Sequence, residues 1–215
     1  MSMDKLSKYE AIVGSDEAGK GEWLGPLTVA AIAITSAQGS YLVTQGVMDS
    51  KELKIERVME LSGIITKECL GYHVITISPR KFNKLLQEVK KEGKSLNDIL
   101  AWGHAKAISE VYRELQNKKI LGRVKLVIDE FDKLKTEERL GRVLKLTNFD
   151  LEQRPRAEEE TAVAAASILA RALREFWIDD ASKRLNLDLR KLSVTEALTH
   201  KDIEYFAKVS FLHRK

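Results

Sequence analysis

Two apolar runs, joined by a short loop that carries acids, glycines and a lysine, constrain this chain most. Residues 11–16 and 27–35 are rich in β-branched and small apolar residues, which is typical of buried β-strands. Asp16 and Glu17 stand at the end of the first run, and Gly19-Lys20-Gly21 follows at once. Adjacent side chains of a regular strand point to opposite faces, so the two carboxylates can share a site only where the strand ends and the backbone turns. The pattern predicts a metal site that faces a phosphodiester.

Length and composition favour one soluble domain. The chain has 215 residues, of which 44% are hydrophobic, and this is enough for one sizeable core. The three prolines are scattered and no linker or repeat interrupts the sequence, so we expect a single domain over residues 1–215. We expect a monomer in the cytoplasm without a membrane segment, because the apolar runs are too short to span a bilayer. The net charge of +4 permits a nucleic-acid partner without requiring one.

The rest of the chain alternates strand-like and helix-like segments. Short runs of β-branched residues bounded by turn residues predict further strands at 72–78, 124–129 and, more weakly, 143–149. Apolar residues at helical spacing predict helices over 50–70, 80–89, 95–117, 161–185 and 199–212. This mixture predicts an α/β fold, with a mixed sheet of about five strands flanked by helices and a helical C-terminal part from about residue 172 to 215.

Two more acids stand where a strand ends or a helix begins. Asp129 closes the apolar run at 124–129, and strand ends carry function in open α/β sheets; a turn or cap residue is the alternative. Glu158 precedes the long helix, where acids also stabilise the helix dipole, so a charged cap is the alternative there. Small side chains from Ala162 to Ser167 would let this helix lie close to the sheet and bring its N-terminal acid near the strand ends.

The loop after Glu17 allows two interpretations. Gly19 and Gly21 permit positive φ and expose backbone N–H groups to a ribose or a phosphate, and Lys20 adds a cation. The segment from Gly14 to Lys20 also has the G-x-x-x-x-G-K spacing of a nucleotide-binding P-loop. That motif needs Ser or Thr where Gly21 stands, and two carboxylates would repel the phosphates. We therefore discount an NTPase.

Polar residues on two predicted helices have weaker interpretations. Ser50 and Lys51 stand at a predicted helix start, which suits a phosphate or a plain helix cap. His104 and Trp102 lie in the helix at 95–117, and we interpret them as core and surface residues, because a helix needs its apolar stripe regardless of function.

Four motifs, in order, resemble the type 2 ribonuclease H family, which comprises ribonucleases HII and HIII. The family signatures are G-x-D-E-[AS]-G-[RK]-G, D-S-K, an apolar strand that ends in I-D, and K-A-[DE] just before A-A-A-S-I-[LI]-A. The chain carries the first three at 14–21, 49–51 and 128–129, and the fourth at 156–158 and 164–170, with Arg156 in place of the lysine. The similarity spans about residues 12 to 171 and rests on rare combinations.

Several details resemble ribonuclease HIII more than HII. They are the lysine between the glycines, Glu158 as the fourth acid, the stretch at 96–104 and the end at 206–211. Ribonucleases HIII usually carry an additional N-terminal substrate-binding domain, whereas the first strand here begins near residue 11. The spacing from Glu158 to Ser167 is one residue shorter than in the family, which leaves Glu159 as the alternative fourth acid.

The resemblance implies a ribonuclease H-like fold and a metal-dependent endoribonuclease that hydrolyses the RNA strand of RNA/DNA hybrids and leaves 5′-phosphate and 3′-hydroxyl ends. The implied site residues are Asp16, Glu17, Asp129 and Glu158 for two Mg²⁺ or Mn²⁺ ions, Gly19, Lys20 and Gly21 for the ribose 2′-hydroxyl, and Ser50 and Lys51 for a phosphate. An HIII-like enzyme would prefer runs of ribonucleotides. The alternatives are an HII-like enzyme that cuts at single ribonucleotides in DNA and a non-catalytic nucleic-acid-binding protein. Four acids beside phosphates favour an enzyme over a pure binder.

Overall fold

A mixed β-sheet forms the centre of the computed structural model, which describes residues 9–48, 53–120, 122–129, 149–154 and 160–212, with the backbone alone at 129, 149, 153 and 154. The strands are β1 Ala11–Ala18, β2 Leu27–Ile34, β3 Gly71–Ile77, β4 Val124–Asp129 and β5 Phe149–Arg154. Within these residues they form one sheet in the order β3-β2-β1-β4-β5. The predicted α/β fold with a mixed sheet is confirmed.

The strand directions follow from the lengths of the connections. A short loop joins β1 to β2, which pair antiparallel, and β3 pairs antiparallel with β2. β4 runs parallel to β1, and β5 runs parallel to β4; β4 is reached from β1 by the long crossover that a parallel pair requires. The carboxyl ends of β1, β4 and β5 therefore lie at one edge of the sheet, where open α/β sheets bind their ligands.

Helices cover both faces of the sheet. They are α1 Ser36–Thr44, α2 Ile55–Glu68, α3 Pro79–Lys91, α4 Leu96–Asn117, α5 Thr161–Leu185, α6 Val194–Thr199 and α7 Ile203–Phe206. α1, α2 and α5 bury their apolar residues against one face of the sheet, while α3 and α4 bury theirs against the other. Among the helices described, none is both long enough and apolar enough to cross a membrane.

α5 lies close to β1 because small residues meet on both sides of the contact. A side chain at Gly14 would overlap the backbone of Ala162 and Val163, so only glycine fits at this position of β1. The alanines from Ala164 to Ala166 are fully buried along the same contact. The expectation that the small-residue face of this helix packs closely against the sheet is confirmed.

The secondary structure differs from the prediction in several places. β5 begins at Phe149, where the predicted strand ends, and residues 143–148 lie outside the described residues. α1 has no counterpart in the prediction, because its sequence lacks a clear helical pattern; a capping box of Thr35 and Gln38 begins it. α2 begins at Ile55 rather than residue 50. The single helix predicted over 199–212 is wrong, since this part consists of short helices.

The C-terminal segment holds the loop between β1 and β2. Leu24 in that loop forms an isolated bridge with Ala207, and the backbone N–H of Gly25 donates to the carbonyl of Phe206 at 2.9 Å. The fully buried Lys208 donates from Nζ to the carbonyl oxygen of Gly25 at 2.6 Å. These bonds tie the chain terminus to the segment that follows the Gly19-Lys20-Gly21 sequence.

Candidate active site

A cavity of about 580 Å³ lies at the carboxyl end of β1. It is lined by Asp16, Glu17, Ala18, Gly19, Lys20, Glu22, Ser167, Arg171, Arg174 and Glu175. The loop that follows β1 supplies one wall and α5 supplies the other. Carboxylates and cations therefore share one concave surface, at the edge of the sheet where a ligand is expected.

Asp16 lies on the α5 side of β1, where its carboxylate faces Ser167. Its Oδ1 accepts a hydrogen bond from the backbone N–H of Glu17 at 2.8 Å, and its carboxylate is also hydrogen-bonded to Ser167 of α5. Burial, followed by the negative charge of Glu17, raises the pKa of Asp16 to about 7. A metal cation next to Asp16 would offset both effects, because it attracts the ionised form.

Glu17 lies on the α4 side of the strand and has partners at both carboxylate oxygens. Oε2 is 3.1 Å from Nε2 of His104, and Oε1 is 3.3 Å from Nζ of Lys20. Burial alone would raise the pKa of Glu17, but the hydrogen bond and electrostatic attraction of His104, together with Lys20, lower it to about 2. Glu17 is therefore ionised at neutral pH.

The two acids reach one cavity without the strand end that the sequence predicts. β1 continues to Ala18, and Asp16 and Glu17 both pair with residues of β2, so their side chains leave from opposite faces. On the other side of β1, the pairing with β4 stops at Ser15 and Ile128. The expectation that the backbone turns at these acids is wrong, and the open side of β1 beyond Ser15 lets both carboxylates line the cavity instead.

Asp129 takes the register position next to Asp16. Ser15 pairs with Ile128 in the parallel ladder, so the next residues of the two strands are Asp16 and Asp129. Only the backbone of Asp129 is described, and within the described residues no group of three or more His, Cys, Asp or Glu side chains could hold a metal ion. The described site is thus an acid pair with a third acid at the neighbouring backbone position.

The start of α5 lies away from the acid pair. Its N-cap, Glu160, is 3.0 Å from Nζ of Lys125, and Lys125 is in register with Ile12, well before Asp16 in β1. The residue of α5 that reaches Asp16 is Ser167, almost two turns into the helix. The expectation that the helix start brings its acid near the strand ends concerns Glu158, with Glu159 as the alternative, and residues 155–159 lie outside the described residues.

The two glycines beside Lys20 differ in what they allow. Gly19 has φ +84°, and a side chain there would overlap the carbonyl oxygen of Pro26. Gly21 does not have positive φ, and a side chain there would have no described atom within 4 Å. Gly19 therefore shapes the loop, while Gly21 leaves open space at its exposed surface.

Two arginines of α5 fix the chain around the cavity. Nη1 of Arg171 donates to the carbonyl oxygen of Leu53 at 3.0 Å. Ser50 and Lys51 lie outside the described residues. Leu53, two residues after Lys51, is held by this bond to an arginine that lines the cavity. Arg174 is buried, pairs with Glu22 and donates from Nη2 to the carbonyl oxygen of Leu24 at 3.0 Å.

His104 is the site residue that sequence reasoning missed. It is 1% exposed, and Nδ1 lies 2.8 Å from Oγ of Ser15 while Nε2 faces Glu17. The interpretation of His104 as a core residue is correct for its burial but omits its contact with a predicted metal ligand. The available signal was a polar side chain between the small residues Gly103 and Ala105 on the face of α4 that packs on the sheet.

Comparison with known proteins adds a family and a fold. The family model described as "Ribonuclease HII" matches residues 13–212. The chain is 38% identical over 179 residues to a ribonuclease HIII of Protochlamydia amoebophila, covering 83% of this chain and 56% of that protein. It is 38% identical over 162 residues to a ribonuclease HIII of Chlamydia pneumoniae, covering 74% and 50%. The chain thus spans about half the length of these curated relatives.

The fold is similar to that of a solved ribonuclease HIII. The crystal structure of Bst-RNase HIII in complex with Mn²⁺ aligns with a TM-score of 0.76 at 22% identity, and the alignment covers 96% of this chain and 68% of that one. This similarity supports the ribonuclease H-like fold that the sequence motifs imply.

Proposed function

The chain belongs to the ribonuclease HII family, and on this premise we propose that it is a metal-dependent endoribonuclease that hydrolyses the RNA strand of RNA/DNA hybrids. The observation that carries the proposal is the acid pair Asp16 and Glu17 in one cavity, with Asp129 at the adjacent register position. A cavity that places carboxylates where a polyanion must approach gains nothing for binding alone. It is suited to metal-assisted phosphodiester hydrolysis.

The residues at the cavity fit a divalent metal. Asp16 and Glu17 offer hard carboxylate oxygens, which Mg²⁺ and Mn²⁺ prefer, and burial together with the charge of Glu17 raises the pKa of Asp16, an effect that a bound cation would oppose. We propose that Asp16, Glu17, Asp129 and Glu158 hold two such ions. When bound, the ions would activate a water molecule and stabilise the leaving 3′ oxygen, giving 5′-phosphate and 3′-hydroxyl ends.

We propose that the loop after β1 recognises the ribose of the substrate. Gly19, Lys20 and Gly21 follow the acid pair directly, and the exposed space at Gly21 admits a sugar close to the backbone. A 2′-hydroxyl is the group that distinguishes RNA from DNA at such a contact. Ser50 and Lys51 are the proposed phosphate ligands, and the bond from Arg171 to Leu53 supports a position of that segment near the cavity.

The substrate preference is proposed to follow ribonuclease HIII, with runs of ribonucleotides favoured over a single one. The curated relatives of that name support this choice; an HII-like preference for single ribonucleotides in DNA is the alternative. We also propose that the protein acts on hybrids as a monomer in the cytoplasm.

The direct test is cleavage of an end-labelled RNA/DNA hybrid with Mg²⁺, with Mn²⁺ and with EDTA. We expect metal-dependent cuts within the RNA strand, with 3′-hydroxyl ends that a polymerase can extend. Asp16→Asn should abolish cleavage while hybrid binding persists, and Glu88→Gln, on the surface of α3, is the matched control that should behave as the parent. Metal-independent cleavage, or binding without cleavage in every metal, would reject the proposal in favour of a different nuclease or a pure binder.

A further inference from the structure

The structure points to His104 as a positioning residue for the proposed metal site. We propose that His104 holds Oε2 of Glu17 in place, so that Oε1 is the oxygen presented to a divalent cation, and that Lys20 occupies Oε1 until the cation arrives. This inference rests on the proposed function, because it concerns the same acid pair. It adds a residue from α4 that is not among the site residues implied by the family resemblance.

The two partners of Glu17 differ in how firmly they are held. His104 is 1% exposed and lies between Ser15 and Glu17, with its two ring nitrogens 2.8 Å and 3.1 Å from their oxygens. The side chain of Lys20 is 40% exposed and 3.3 Å from Oε1. A buried ring held at both nitrogens keeps its position, whereas an exposed lysine on a flexible stem exchanges partners at little cost.

The carboxylate oxygens of Glu17 are acceptors, so the contact with Oε2 is a hydrogen bond in those forms of the ring that carry a proton on Nε2. Ser15 is itself bonded to the sheet, because its Oγ donates to the carbonyl oxygen of Ala30 at 2.7 Å. The chain Ala30, Ser15, His104 and Glu17 therefore links the middle of the sheet to one oxygen of the acid.

The backbone around His104 is fixed as well. A side chain at Gly103 would come within 3.0 Å of Val29 in β2, so α4 is in close contact with the sheet at this position. The ring of His104 thus has little freedom to move away from Glu17. An outer partner held this rigidly orients a metal-binding carboxylate and reduces the ordering that metal binding requires.

Two substitutions of His104 test its contact with Ser15 and its contact with Glu17 separately. In His104→Asn the amide can replace Nδ1 towards Ser15 but is too short to reach Glu17, whereas in His104→Gln the longer amide can donate to Glu17. Ile108→Ala, one turn further along the buried face of α4, is the control for a loss of stability without a change at Glu17.

The first measurement is Mn²⁺ binding to the metal-free protein by calorimetry. We expect His104→Asn to raise the Kd about 10- to 100-fold, the usual cost of losing an outer partner of a metal ligand, and His104→Gln to restore most of the affinity. Lys20→Met should change the Kd in the opposite direction, since the cation then displaces no lysine. Ile108→Ala should leave the Kd within about twofold of the parent.

The second measurement is kcat and KM on a uniform hybrid at saturating Mn²⁺. His104→Asn should lower kcat with KM nearly unchanged, and His104→Gln should recover kcat. If His104→Asn matches Ile108→Ala in Mn²⁺ affinity, or if His104→Gln fails to recover what His104→Asn loses, the inference is wrong. A parent protein that binds Mn²⁺ with the predicted order of variants but cuts no hybrid would reject the proposed function alone. A parent that binds no Mn²⁺ would reject the inference.

Discussion

Asp16 and Glu17 are neighbours in sequence but lie in opposite electrostatic surroundings. On the α5 side, the pKa of Asp16 is raised to about 7 by burial and by the charge of Glu17. Glu17 meets His104 and Lys20, which lower its pKa to about 2. One strand thus presents an acid that is costly to ionise beside an acid that is ionised throughout the physiological range, a separation that is common at functional sites.

Asp16→Asn should stabilise the metal-free protein at pH 8 while removing activity. Because the folded pKa of Asp16 lies above its unfolded value, the native state binds more protons between about pH 4 and pH 7, and stability falls as pH rises through this window. The substitution removes this pH-dependent destabilisation, which amounts to about 2 kcal/mol for a half-buried carboxylate. Urea unfolding in EDTA at pH 8 and pH 4 measures the difference in stability between the variant and the parent. The gain should vanish at pH 4, and an equal gain at both values would contradict the assignment.

Gly21→Ala should lose activity, whereas Gly19→Ala should lose stability. A side chain at Gly21 enters open space, so the variant should keep its stability within about 0.5 kcal/mol but obstruct the ribose and lose at least about tenfold in hybrid cleavage. A side chain at Gly19 meets Pro26 at positive φ, so that variant should lose at least about 1 kcal/mol of stability. Thermal unfolding and cleavage rates distinguish them. Normal cleavage by Gly21→Ala would move ribose recognition elsewhere.

At the scale of elements, the sequence predicts best those segments whose pattern is local. The bounds of α5 agree with the predicted helix at 161–185, because helical spacing and small residues persist over its length. α1 is missed since a capping box rather than an apolar stripe defines it. The C-terminal helix is wrong because its apolar residues pack against α5 and Trp23 in short separate turns, a tertiary contact that periodicity does not encode.

The segment that connects β5 to α5 contains the predicted fourth acid, Glu158, and its alternative, Glu159. β5 ends at Arg154 beside Asp129 in the parallel register, and α5 begins at Thr161 near Gly14. Glu158→Gln should reduce kcat by several orders of magnitude, while Glu159→Gln should stay within about tenfold of the parent. The opposite result in steady-state assays would shift the site by one residue.

Lys208 gives the C-terminal segment a pH-dependent contribution to stability. Burial, followed by repulsion from Arg174, lowers the pKa of Lys208 to about 7, with Glu22 opposing the shift. The unfolded chain therefore binds more protons between about pH 7 and pH 10, and stability rises with pH across this range. Compared with Lys208→Met, the parent should gain about 2 kcal/mol from pH 7 to pH 10. Urea unfolding at both values checks this, and a constant difference would contradict it.

At the scale of the whole molecule, the sequence predicts the sheet and the grouping of the residues that follow one another at the end of β1. Asp16, Glu17, Gly19 and Lys20 are brought to one cavity as predicted, because they are consecutive in the chain. His104 approaches the same acids only when α4 packs across the sheet, a contact between residues 87 positions apart. Sequence spacing cannot reveal such a contact, which explains why the metal-ligand candidates were found and their buried partner was not.

Aromatic and cationic side chains of α5 and of the loop after β1 bear on the choice of substrate. Trp177 packs in a tilted arrangement against Tyr205, with 5.8 Å between the ring centroids, among the apolar residues of the C-terminal part, whereas Phe176 is 63% exposed. Within the described residues, the cations Lys20 and Arg171 line the cavity, and Phe176 presents an exposed ring next to Glu175, which also lines it. Binding through phosphates is steeply salt-dependent, and a run of ribonucleotides presents a 2′-hydroxyl at each step in an A-like duplex.

We therefore expect this chain to cut a hybrid with several consecutive ribonucleotides at least about tenfold faster than a duplex with one embedded ribonucleotide, as kcat/KM. Hybrid affinity should fall with a log–log salt slope of several units, because each phosphate contact contributes about −0.9. Phe176→Ala is the companion variant, and it should weaken both substrates equally if the ring only packs against the duplex. Equal or faster cutting of the single-ribonucleotide duplex would contradict the HIII-like preference while leaving a hybrid-specific nuclease in place.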